Sequence, residues 1–201
     1  MTPESIKAKR REEVRARAEE CFKDHVLTQE TPDRWLCKKP GSGYYAFRVT
    51  NFHDGLILSG DIDELVVVVY NKDPISWLRR GVLSDPEYVL NKIPLAFRRK
   101  EVIDGLVLHY LDEDEDGLAK KIREILTGSD EDEDEWDVPS DLTHDQWVEA
   151  YYGAGGEESV PDIEDWDWRT LFQCEALKWF CRALDKAESA ALQTGEQQSG
   201  R

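Results

Sequence analysis

The sequence has no apolar run near the roughly 20 residues that a bilayer-spanning helix needs. Its longest, Leu65 to Val69, is the length of one strand. It opens on a charged helical stretch with no apolar signal core, so the protein is expected to stay in the cytoplasm with no membrane attachment. The four cysteines, Cys21, Cys37, Cys174 and Cys181, form no CxxC pair and no small secreted framework. They read as free thiols in a reducing compartment, most of them buried. No GxSxG, Walker loop or GxGxxG occurs, and His25, His53, His109 and His144 show neither HxxxH nor HxH spacing. Joined with Cys37, those histidines give only a faint zinc signal, so no metal or cofactor is expected. A dispersed catalytic site would leave no local signature, but nothing here argues for an enzyme.

What is present is a core and a charge asymmetry. Seven Trp, seven Tyr and six Phe in 201 residues supply enough large rings for one domain, or one domain with a large appendage. The formal charge is −17. From Leu111 to Trp168 there are 22 acidic and three basic residues, a net of −19, which leaves 21 acidic and 23 basic residues elsewhere, a net of +2. Charge carried for general solubility would be spread over every exposed face. Here it is local.

Thr2-Pro3-Glu4 has the chemistry of a helix start, and the helix is expected to reach about Val26. Its apolar face is Val14, Ala18, Cys21, Phe22 and Val26, and its first half is basic. It reads as a solvated amphipathic helix, or as a basic face that docks on the acidic segment or on nucleic acid. Arg34 to Lys38, Tyr44 to Thr50, Leu56 to Ser59 and Glu64 to Tyr70 are strand-like and separated by good turn residues, which predicts an antiparallel meander. Val66 to Val69 does not alternate, which suggests a central strand covered on both faces. Asp73-Pro74 and Asp85-Pro86 each open a short helix, Glu101 to Leu111 is a helix candidate, and Leu118 to Leu126 another, ended by Gly128. Thr143 and Gln146 form a capping box for a helix through Tyr152. The last helix is expected from about Asp165 to Ala191. The fold class is therefore α+β: an antiparallel three- to four-stranded meander packed against several helices, with an acidic helical and loop appendage. The expected organisation is a core over residues 1–128, an acidic linker over 129–141, C-terminal helices over 142–194 and a disordered tail over 195–201.

Asp112-Glu113-Asp114-Glu115-Asp116-Gly117 matches the first half of a calcium loop, with carboxylates at alternate positions and a glycine for the sharp turn. The closing bidentate acid is missing, because Arg123 stands at its place and Glu124 is one position late. Gly60-Asp61-Ile62-Asp63-Glu64 puts three carboxylates in a turn. It reads as a hairpin in which Asp61 bonds its own backbone, with a dispersed catalytic site including Asp61 and Asp63 as the alternative. The strongest binding candidate is the acidic segment itself: Asp112, Glu113, Asp114, Glu115 and Asp116, then Asp130, Glu131, Asp132, Glu133, Asp134 and Glu135, with Trp136 and Trp166 as aromatic anchors. Trp147, Tyr151, Tyr152 and Trp168 are interleaved with the same acids. Carboxylates at such density can occupy a basic groove that otherwise holds the phosphates of a duplex.

Trp35-x-Cys37, Pro40, Tyr45-Ala46-Phe47, Gly55-x-Ile57-x-Ser59-Gly60-Asp61, Trp77, Tyr88-Val89-Leu90 and Lys92 resemble a family of small accessory proteins of tailed bacteriophages and prophages. The similarity covers Arg34 to Leu126, with an echo in Ala176-Leu177-Lys178-Trp179-Phe180. The family carries no assigned activity, so no site residue transfers. The resemblance implies a phage protein acting in the host bacterial cytoplasm, where small acidic proteins can counter host defences by imitating DNA. The expectation is a non-catalytic accessory protein whose acidic surface binds a basic nucleic-acid-binding or defence protein of the host, with no direct nucleic-acid contact. The alternatives are a calcium-type cation binder through Asp112 to Asp116, or an enzyme with a dispersed site.

Overall fold

Thr2, Pro3 and Glu4 start the first helix as their chemistry suggests. The Thr2 hydroxyl accepts a hydrogen bond from the Ser5 amide (3.3 Å), and α1 runs over Pro3–Phe22. The computed structural model describes residues 2–112, 117–128, 137–156 and 159–199. The chain forms two units: a sheet unit of residues 12–98 and 168–201, and an acidic unit of residues 1–11 and 99–167. Together they make a mixed α+β protein with antiparallel sheets and seven α-helices among the described residues.

In the sheet unit, β1 (Val26–Thr31), β2 (Arg34–Lys38), β3 (Phe47–Phe52), β4 (Gly55–Gly60) and β5 (Leu65–Val68) pair in chain order, each antiparallel to the next. Directly opposed residues share a face, so the register Trp35↔Val49, Val49↔Leu58 and Leu58↔Leu65 lays one buried row across four strands. The helices α2 (Pro74–Ser84), α3 (Pro86–Leu90) and α7 (Trp168–Ser199) add Leu78, Val82, Val89, Phe172, Leu177 and Phe180 to the core, and α1 adds Val14, Ala18 and Phe22. Phe22 stands edge-on to Phe47 (5.4 Å between centroids) and Trp35 to Phe180 (5.6 Å). Asp73 and Asp85 cap α2 and α3 by accepting from the Ser76 and Tyr88 amides, as their place before proline predicts. Cys37, Cys174 and Cys181 are buried, Cys21 is half-buried, and all four are free thiols.

Two expectations are corrected. The meander has five strands, because α1 stops at Phe22 and the next residues pair with β2. Val26–Thr31 is almost wholly exposed and shows no alternation, so its edge position left no hydrophobic signature. The valine run is not central. β5 is the other edge and alternates between buried and half-buried, with its outer side closed where the Val68 amide donates to the Lys92 carbonyl (3.1 Å).

In the acidic unit, β6 (Lys100–Val102) pairs antiparallel with β7 (Glu164–Trp166), and α4 (Asp104–Asp112), α5 (Leu118–Thr127) and α6 (His144–Gly153) lie between them in sequence. Leu106, Val107, Leu111, Ile122, Trp147, Tyr151 and Ile163 form its core. The capping box at Thr143 and Gln146 is present in both directions, and Gly128 ends α5 in the left-handed region (φ 68°). The helix expected over Glu101 to Leu111 gives its first residues to β6, and the helix expected from about Asp165 to Ala191 runs instead over Trp168–Ser199, into the stretch expected as a disordered tail.

Candidate functional site

The charge divides between the units with little overlap. The acidic unit holds 25 acidic and nine basic side chains, a net of −16, which leaves the sheet unit with 18 acidic and 17 basic, a net of −1. Its first-helix cations answer part of this charge. Lys7 bonds Asp162 (3.2 Å), Arg10 meets Glu101 and donates to the Trp166 carbonyl (2.7 Å), and Arg11 bonds Asp165 (2.8 Å). Burial opposes ionisation of Asp162, yet the Glu164 amide and the Lys7 ammonium hold its carboxyl below the usual carboxylate range. Those contacts engage Glu101, Asp162 and Asp165. Asp104, Asp137, Asp141, Asp145 and Glu149 are exposed.

Of the residues singled out from the sequence, Glu113, Asp114, Glu115, Asp116, Asp130, Glu131, Asp132, Glu133, Asp134, Glu135 and Trp136 lie outside the described residues. Asp112 ends α4, with Arg123 at 3.8 Å. The cation at the twelfth loop position thus faces the first carboxylate, where a calcium shell would need an acid. Among the described residues no group of three or more His, Cys, Asp or Glu is arranged to hold a metal ion. Trp166 is 3% exposed, so its ring is core and is not presented at the surface as an anchor. Trp147 and Tyr151 are buried with it, whereas Tyr152 and Trp168 are exposed.

A second feature is a cleft of about 520 Å³ within the sheet unit, lined by Tyr45, Gly60, Asp61, Ile62, Asp63, Trp168, Arg169 and Phe172. Its floor is fixed by main-chain geometry that few residues adopt. Tyr45 (φ 57°) and Asp63 (φ 72°) are two of the three described non-glycine residues at positive φ, a conformation that costs on the order of 1 kcal/mol or more per residue. Gly60 sits at φ 135°, and a Cβ there would lie 2.5 Å from the Ala46 carbonyl oxygen, so only glycine fits.

Tyr45 is held on every polar group. Its amide donates to Asp61 Oδ2 (2.7 Å), its carbonyl accepts from His25 Nε2 (3.1 Å), and its hydroxyl accepts from Arg17 (3.1 Å). Asp63 accepts from the Glu64 amide (3.0 Å) and from Arg169 (2.7 Å), while Gln173 reaches from α7 to the Ile62 carbonyl (2.9 Å). The turn does join the antiparallel pair β4 and β5, as expected of a hairpin, but the Asp61 carboxylate bonds across to Tyr45 and not to its own turn. Trp168 lies flat on Phe172 (4.9 Å, 15°), and Tyr45 tilts against the same ring (5.8 Å). The cleft thus brings Asp61 and Asp63, the two carboxylates of the dispersed-site alternative, to one surface with Trp168 and Arg169. The sequence marked Asp61 and Asp63 but could not join them to Trp168, Arg169 and Phe172, which are more than 100 positions away.

No described helix is long and apolar enough to cross a membrane. No protein-family model, curated protein or solved structure matches the chain.

Proposed function

We infer that the acidic unit binds a basic surface on a nucleic-acid-binding protein and competes there with nucleic acid. The observation that carries this is the partition of charge: −16 in one unit of the fold and −1 in the other. A duplex carries about one negative charge per 1.7 Å of axis, and its binders hold it with many Lys and Arg contacts whose formation releases counterions. A unit in which 25 of 80 residues are acidic can meet the same contacts. The four cations of residues 1–11 are too few to balance 25 acids, and Asp104, Asp137, Asp141, Asp145 and Glu149 are exposed to a partner. The residues that resemble phage accessory proteins support a host defence or nucleic-acid-handling protein as the target, met in the bacterial cytoplasm, with no catalysis required.

The test is displacement of a fluorescent duplex from basic, sequence-nonspecific bacterial DNA-binding proteins at about 50 mM salt. The protein is expected to release the duplex, and release should weaken steeply as salt rises. A duplex that stays bound at low salt across the panel would end this proposal.

A further inference from the structure

The cleft of the sheet unit has a chemistry of its own, and it needs none of the acid-rich segment. Its walls combine aromatic faces with carboxylates, and the chain's own arginines show what that combination holds. Arg169 bonds Asp63 (2.7 Å), and Arg17 stands over the Tyr45 ring (6.0 Å to the centroid) while donating to its hydroxyl. Both are guanidinium contacts of kinds that recur in proteins, one charge-assisted with a carboxylate and one within cation–π range of a ring.

The same pair of elements recurs in the cleft at Asp61 and Trp168. Asp61 is exposed, its Oδ2 accepts from the Tyr45 amide, and its Oδ1 has no hydrogen-bond partner among the described residues. Trp168 is 42% exposed and is braced from behind by Phe172. The lining carries Asp61, Asp63 and Arg169, a net of −1, so the local field favours a cation. A volume of about 520 Å³ lies within the range of small-ligand sites and admits one long side chain. Between the two biological cations, guanidinium fits better than ammonium. It is planar, weakly hydrated, stacks on indole, and presents parallel donors to a carboxylate.

The geometry points to a binding site for an arginine side chain of a partner protein in this cleft, with its guanidinium stacked on Trp168 and hydrogen-bonded to Asp61. The strained backbone at Tyr45 and Asp63, with the Tyr45 amide and carbonyl and the Asp63 amide all bonded, holds that site rigid. This goes beyond the acidic-unit proposal, because the ligand contacts lie in the sheet unit alone.

The experiment is a titration of isotope-labelled full-length protein with a short acetylated, amidated Gly-Arg-Gly peptide, followed by amide and indole resonances. The control peptide replaces arginine with citrulline, which keeps the shape and removes the charge. The Trp168 indole and Tyr45 amide signals are expected to move saturably with the arginine peptide and not with the citrulline peptide. Trp168→Ala should weaken binding roughly three- to fivefold or more, as expected for loss of a cation–π contact. Asp61→Asn, which keeps an acceptor for the Tyr45 amide, should weaken it as well. Neutralising Asp130 to Glu135 with Asn and Gln should leave these shifts in place. Equal shifts with citrulline, shifts untouched by Trp168→Ala and Asp61→Asn, or none at millimolar peptide would overturn the assignment. Arginine-dependent shifts confined to the acidic unit would also overturn it while leaving the duplex-displacement proposal standing.

Discussion

Tyr45 occupies a backbone conformation it would not choose alone, and one of the groups that holds it there titrates. His25 is 9% exposed, gives its Nε2 proton to the Tyr45 carbonyl, and has no partner for Nδ1. Burial pushes its pKa below the ordinary 6.5, against the opposing pull of the Tyr45 bond and of Asp24, and with a smaller push from Lys39. The unfolded chain therefore binds more protons than the folded one just below pH 6.5, so stability is full above that value and falls as the pH drops toward the lower folded one. Melting curves between about pH 7.5 and 5.5 should show this loss in the wild-type chain and a smaller one in His25→Gln. Equal slopes would place the titrating group elsewhere. Gly60 gives a second test at this scale. Gly60→Ala puts a methyl group against the Ala46 carbonyl at a φ that side chains rarely adopt, and should cost about 3 kcal/mol in urea unfolding.

At the scale of elements, local chemistry was legible wherever a cap or turn fixed it. Asp73, Asp85 and Thr143 cap the helices that the sequence assigns to them, and Gly128 ends α5. Thr143→Ala should remove about 1 kcal/mol from the acidic unit, read as faster hydrogen exchange at the start of α6. What the sequence hid were the edges and the long-range pairings. Strand β1 is exposed on nearly every residue, and a three-residue strand such as β6 is too short to show a period. The pairing of β6 with β7 joins residues more than 60 positions apart. Beside it the Asp165 carboxylate, 3% exposed, lies between Arg10 and Arg11 and accepts from the Trp166 amide. Asp165→Ala should therefore destabilise the acidic unit by about 2–3 kcal/mol, well above the effect of an exposed ion pair. A loss no larger than that of Arg15→Ala, whose partners Glu12 and Glu19 are exposed, would show that the buried carboxylate matters little.

For the whole molecule, the uneven charge was plain in the sequence because counting needs no coordinates. That it coincides with a unit of the fold was not, because the unit takes its first eleven residues, four of them basic, from the other end of the chain. The cleft was invisible for the same kind of reason: Tyr45, Asp61 and Trp168 come from three separate stretches, and only the fold brings them to one surface. Trp166 was misplaced by proximity in sequence to the acids, since its burial follows from β7 pairing. The most direct test of the central claim is the salt dependence of binding to a basic DNA-binding protein, measured for the wild-type chain and for one with Asp130 to Glu135 changed to Asn and Gln. The wild-type chain should show a steep linear fall of log affinity with log salt, and the neutralised chain a weaker affinity and a shallower slope. Identical affinities and slopes for the two would contradict the account.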